Sequence, residues 1–148
     1  MKMNKLKSLT GKWKGEYTLG PEYETDEGKS FEFILELQDD NGTFIGQCIE
    51  DGISEQLSES ITISGFWNNE IISFTKHYPF LYYNDDNAEL VIDKTKAHPE
   101  IIYTGEYDTL SNIFSGDFVM VVESMPQGDG WLESKLTGLW SMKKVKDK

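Results

Sequence analysis

Apolar and polar residues alternate with a period of two from one end of this 148-residue chain to the other, and no window of 11 or more residues holds a 3.6-residue apolar repeat. Side chains two apart share one face of a strand, so this pattern describes strands that are half buried and excludes a helical core. It predicts strands near Lys12–Gly20, Ser30–Gln38, Thr43–Glu50, Glu59–Phe66, Ile71–Tyr78, Glu100–Tyr107, Ile113–Glu123 and Lys135–Lys144, with a short extra one at Glu89–Ile92. Asp39-Asp40-Asn41-Gly42 and Trp67-Asn68-Asn69-Glu70 supply tight-turn chemistry, and Met125-Pro126-Gln127-Gly128-Asp129-Gly130 reads as a longer loop. Consecutive strands therefore pair as neighbours. Pro79–Ala97 stands out as a long connection, the kind that serves as a lid or binding loop.

A glycine two residues before an aromatic puts both on one strand face, and the pattern recurs at Gly11/Trp13, Gly65/Trp67, Gly105/Tyr107, Gly116/Phe118 and Gly138/Trp140. Small barrels need glycine where strands bend and rings to cover the gaps. The frame Leu-Thr-Gly-x-Trp occurs at Leu9–Trp13 and again at Leu136–Trp140, in the first and last strands, which are the two that meet when a sheet closes. Four Trp, seven Tyr and eight Phe provide the mass for one core, and the length suits one domain. The expectation is an all-β chain: one closed eight-stranded antiparallel up-and-down β-barrel over residues 1–148.

The formal net charge of −12, with no arginine, argues against binding nucleic acid, whose phosphates attract Lys and Arg. Residues 1–14 and 135–148 hold ten Lys against one acid, whereas residues 15–134 hold four Lys against 25 acids. Basic ends of this kind keep a protein soluble and discourage edge pairing, or dock an anionic partner. The start lacks an apolar signal-length run and no stretch of 18 apolar residues occurs, so no membrane association is expected. A single cysteine, Cys48, fits a reducing compartment and points to the cytoplasm.

Gly11-Lys12-Trp13 opening a meander of eight strands resembles the calycin group, which comprises lipocalins, fatty-acid-binding proteins and avidin-like barrels. Thr104-Gly105-Glu106-Tyr107 is similar to the avidin family's small-Gly-Gln-Tyr segment. Trp131, Ser134, Leu136 and Gly138 resemble the residues leading into that family's last strand, at a spacing one residue longer. The resemblance covers the chain ends better than the middle and implies the barrel fold more than an activity. It does not carry over biotin binding: Cys48 stands where the family has a tyrosine, Trp140 where it has a ligand-binding aspartate, and Tyr103 where it has a wall tryptophan. Gly11-x-Trp13-x-Gly15 also resembles haem-binding nitrobindin barrels, but those use a histidine near the C-terminus and none follows His98.

His77 and His98 flank the long connection, and with Asp85, Asp86, Asp93 or Glu100 a two-His, one-carboxylate site for Zn²⁺ or Fe²⁺ can be drawn, against the alternative of two locally bonded rim histidines. No serine sits in a Gly-x-Ser-x-Gly elbow; Ser64-Gly65 and Ser115-Gly116 fall in ordinary strands. Cys48 reads as a buried inert thiol, and the Asp39/Asp40 and Asp85/Asp86 pairs read as turn residues. No cofactor motif is present. The aromatic run His77–Tyr83 either plugs one barrel end or lines an entrance, and one consistent alternation puts Tyr17, Phe33, Leu35, Tyr103, Phe118 and Met120 on the inner wall. The first reading is a barrel binding a small apolar or aromatic ligand in or at its mouth through Tyr17, Phe33, Tyr78, Tyr82, Tyr103, Phe118 and Trp131. The alternative is a protein-interaction or structural module with a filled core, whose partner is another protein or a second copy of the chain. A third is a metal-dependent enzyme at His77 and His98; without a recognisable catalytic set, the enzyme reading is the least supported.

Overall fold

The computed structural model describes residues 8–21, 27–50, 61–68, 70–79, 81–84, 90–93, 95, 98–127 and 130–145, with backbone alone at 81–84, 90, 121–127 and 130–134. Eight strands among these residues close a barrel: β1 (Gly11–Leu19), β2 (Ser30–Asp40), β3 (Thr43–Glu50), β4 (Ile61–Trp67), β5 (Ile71–His77), β8 (Ile101–Asp108), β9 (Ile113–Gln127) and β10 (Gly130–Lys144). β6 (Leu81–Asn84) and β7 (Leu90–Asp93) pair with each other as a separate two-stranded sheet inside the connection from β5 to β8. Every neighbouring pair is antiparallel, and β1 closes on β10 from Trp13↔Lys144 to Leu19↔Gly138. Closure removes the unpaired edge that an open sheet would expose. No helix among the described residues is long and apolar enough to cross a membrane.

The registers gather three short connections at one end: Asp40 to Thr43, Trp67 to Ile71 and Asp108 to Ile113. Asn41 and Asn112 have φ of 53° and 61°, and Gly42 has 99°, the left-handed turn conformations that Asn and Gly accept most readily. Asp39 ties this end together. Its carboxylate accepts hydrogen bonds from Leu9 N at 2.9 Å, Trp67 Nε1 at 2.7 Å and Gly42 N at 2.9 Å, while Trp13 Nε1 donates to Leu9 O. Partial burial alone would raise the Asp39 pKa, but hydrogen bonds from Leu9, Gly42, Trp67 and Ser8 outweigh it and hold the group below the usual carboxylate value. A depressed folded-state pKa contributes stability above the unfolded value and loses it as pH falls through the folded one. Asp39→Asn is accordingly expected to lower stability at pH 7 by about 1–2 kcal/mol, the scale of charge-assisted bonds at a largely solvated site. Urea midpoints of parent and variant should converge below about pH 4.

The waist is solid. Phe74 stacks on Tyr103 at 4.7 Å and 6°, and Trp140 meets both edge-on at 5.3 and 5.7 Å. An eight-stranded barrel is just wide enough to be filled in this way. Two glycines make room for the rings: a Cβ on Gly105 would stand 2.8 Å from Trp140 Cζ2, and one on Gly138 2.3 Å from Phe118 Cε2. The glycine-aromatic pattern in the sequence thus has a cause, although the ring over Gly138 comes from the adjacent β9 and that over Gly105 from β10, two strands away, and neither is the residue two positions on.

The strand ends Leu19 and Ser30, Glu50 and Ile61, His77 and Ile101, and Gln127 and Gly130 lie at the opposite end. Here the expected and observed elements differ most. β9 and β10 run to Gln127 and from Gly130, through the segment expected to be a loop, because the proline signal at Pro126 does not end the strand. β9 loses its β8 partner after Met120, so Pro126 pairs on one side only, with Trp131, and a missing N–H is tolerated at an edge. The ribbon carries a register shift between Ser134 and Lys135. The expected strand at Glu89–Ile92 is β7, and its partner β6 occupies part of the connection read as a lid or binding loop.

Candidate functional site

Strand alternation points two charged side chains into the barrel at this second end. On β3 the inward series is Phe44, Gly46, Cys48 and Glu50, and on β5 with the residue after it, Ile72, Phe74, Lys76 and Tyr78. Glu50 is 2% exposed and Lys76 1%, the two buried charged side chains among the described residues. Lys76 Nζ lies 2.5 Å from Glu50 Oε2. Tyr78 donates its hydroxyl to the same carboxylate, 2.8 and 2.6 Å from its two oxygens, and Tyr17 Oη lies 3.3 Å from Oε1. Cys48 Sγ is 3.8 Å from Oε2. No buried side-chain nitrogen or oxygen among the described residues is left without a partner. Two ions removed from water cost several kcal/mol each unless bonded this completely.

Aromatic faces enclose the ammonium. Lys76 Nζ is 4.8 Å from the ring centre of Tyr103, 5.0 Å from Tyr17, 5.1 Å from Phe33 and 5.8 Å from Tyr78, within the range of cation–π attraction. Phe118 meets Tyr17 edge-on at 5.8 Å and lies tilted against Tyr103 at 5.6 Å. Burial by itself would pull the Lys76 pKa down; the Glu50 carboxylate, with Tyr103, Cys48 and Tyr17, more than offsets it and holds the ammonium charged. Burial likewise pushes the Tyr103 hydroxyl up. Cys48 is pushed up to about 12, by burial first and against the pull of Lys76. A thiol held protonated is a poor nucleophile, so 5,5′-dithiobis(2-nitrobenzoate) should react with native Cys48 at least a hundredfold more slowly than with the urea-unfolded chain. Equal rates would contradict the burial described here.

Of the residues expected at a ligand site, the fold brings Tyr17, Phe33, Tyr78, Tyr103 and Phe118 together around this pair; the side chains of Tyr82 and Trp131 lie outside the described residues. Leu35 is buried and Met120 packs against the core, both in the expected phase. His98 packs on Tyr78 at 4.5 Å and its Nδ1 donates to Pro99 O at 2.7 Å; burial lowers its pKa, against the raising effects of that bond and of Glu50. His77 takes other partners, on the outer wall: Ser64 Oγ and Glu100. Among the described residues no group of three or more His, Cys, Asp and Glu is placed to hold a metal ion. Asp85 and Asp86 lie outside them, and Asp93 bonds Thr95. Sequence reasoning passed over Glu50 and Lys76, although both fall on the inward phase of strands it had placed. A charge on that phase was the signal.

No family model matches the chain, and no curated protein matches it. Among solved structures it is similar to the crystal structure of rhizavidin, at 14% identity over 91% of this chain and 85% of that one, with a TM-score of 0.43. The closed eight-stranded antiparallel barrel is the fold expected from the avidin-like resemblance.

Proposed function

We propose that the chain, acting as one barrel domain, binds a small molecule with an aromatic or apolar body at the end where Tyr17, Phe33, Tyr78, Tyr103 and Phe118 converge. The observation that carries this reading is the buried Glu50–Lys76 pair. A core needs no ions, and apolar side chains of equal volume would serve stability as well or better. A few placed polar groups beneath aromatic walls are what a ligand site requires to orient its guest. The solid waist bounds the site to one end of the barrel. A single buried thiol is compatible with a cytoplasmic setting.

Tryptophan fluorescence and calorimetric titration across fatty acids, flavins, porphyrins, biotin and simple aromatic acids and amines tests the reading. At least one compound should bind with a micromolar Kd that weakens tenfold or more in Tyr78→Ala. Flat titrations across the panel would overturn it. One observation favours the alternative of an interaction module: Ile45, Phe66 and Ile71 are 60%, 61% and 49% exposed on the outer faces of β3 to β5. Under that reading the partner is a second copy of the chain, and sedimentation should show a dimer that Phe66→Lys dissociates.

A further inference from the structure

The outer wall carries an arrangement separate from the barrel interior. Antiparallel register places Thr62 opposite His77 and Lys76 opposite Ile101, so Ser64 on β4, His77 on β5 and Glu100 just before β8 stand side by side on three adjacent chain segments. Ser64 Oγ lies 3.3 Å from His77 Nε2, and His77 Nδ1 lies 3.7 Å from Glu100 Oε1. In the tautomer that carries its proton on Nδ1, facing the Glu100 carboxylate, Nε2 accepts from the Ser64 hydroxyl. This is the order in which a nucleophile, its base and an orienting acid must stand. The second distance is longer than a hydrogen bond, as such contacts often are before substrate is bound.

A second observation points to a ligand there. Ser64 and His77 line an open groove of about 870 Å³ that crosses the outer faces of β1 to β5. Ile45, 60% exposed, is the cross-strand partner of Ser64 and offers an apolar surface beside the hydroxyl. Gln47 is the partner of Thr62, which in turn is the partner of His77, so an amide and a hydroxyl donor share the row with the base. Donors near a nucleophile can steady the oxygen that becomes negative during acyl transfer.

We propose that Ser64, His77 and Glu100 hydrolyse small carboxylic esters whose apolar part lies along Ile45. Ser64 Oγ forms a bond to the acyl carbon as its proton passes to His77 Nε2. The bond from that carbon to the alcohol oxygen breaks, and the alcohol leaves with the proton from Nε2. Water then attacks the acyl-serine, gives a proton to Nε2, and the carboxylic acid is released as Ser64 recovers its proton. Glu100 is the positioning residue that holds the Nδ1–H tautomer.

The test uses the intact protein with 4-nitrophenyl acetate. Hydrolysis should begin with a burst of nitrophenol close to one per chain, and peptide mass spectrometry should find the acetyl group on Ser64. Ser64→Ala and His77→Gln should each lower the steady rate about a hundredfold, the scale of base-assisted nucleophilic catalysis. Glu100→Gln should lower it about tenfold with Glu100→Asp restoring most of the loss. All four changes fall on the solvent side of the wall, and circular dichroism verifies the fold. A fluorophosphonate probe applied to the unaltered chain gives a reading that needs no variant: it should label Ser64 and be blocked by prior acetylation. Unlabelled Ser64, acetyl groups on lysines alone, or a Ser64→Ala rate equal to the parent's would each overturn the proposal.

Discussion

Glu50→Ala is expected to cost the fold about 3–5 kcal/mol, because it leaves the Lys76 ammonium buried with its counter-charge gone and removes the carboxylate to which the Tyr17 and Tyr78 hydroxyls donate. At roughly 2–4 °C per kcal/mol for a chain of this size, the melting temperature should fall by about 6–20 °C. Lys76→Met should cost less, since the carboxylate keeps the hydroxyl donors of Tyr17 and Tyr78. The pair Glu50→Leu with Lys76→Met should recover most of the loss from Glu50→Ala, because an apolar pair of similar volume carries no desolvation penalty. Urea unfolding of the four proteins gives the comparison directly. If the double variant is as stable as the parent yet fails to bind the ligand found by titration, the ion pair is present for recognition. Glu50→Leu alone closes the double-mutant cycle, and strict additivity of its loss with that of Lys76→Met would mean the two charges do not interact.

Trp140→Ala is the second large effect, also about 3–5 kcal/mol. The ring is 3% exposed, packs edge-on against Phe74 and Tyr103, and donates Nε1 toward Thr104 O at 3.1 Å and Asp117 O at 3.0 Å. The space it leaves faces Gly105, which has no side chain to fall into it, so the site cannot collapse to recover the loss. Trp140→Phe keeps the packing and loses the indole N–H, and should cost no more than about half as much. Chemical denaturation of both variants measures the difference. An alanine cost under about 1 kcal/mol would contradict the filled waist.

The barrel was legible because its information is local and repeated. Alternation placed eight barrel strands to within a few residues, and the recurrence of Leu-Thr-Gly-x-Trp at the chain ends marked the two strands that pair as β1 and β10. The aromatic half of the site was legible for the same reason, since Phe33 and Tyr103 must share a face with Leu35 and Ile101. The charged half was not. Glu50 and Lys76 lie 26 residues apart, and only the side-by-side order of β3, β4 and β5 brings them together. Hydropathy gave a lysine and a glutamate to solvent, which is right for nearly every such residue and wrong where each neutralises the other. His77 shows the converse. The rim placement beside His98 rested on sequence proximity to one loop, whereas alternation turns His77 outward, to Ser64 and Glu100, and His98 onto Tyr78.

Native mass spectrometry of the purified chain, alone and after exposure to a mixed metabolite extract, tests the central claim most directly when the Glu50→Leu, Lys76→Met double variant is carried beside it. The account predicts one additional small molecule per parent chain, lost on denaturation and absent from the folded double variant. Bare parent protein in every condition, or the same added mass on both proteins, would contradict it.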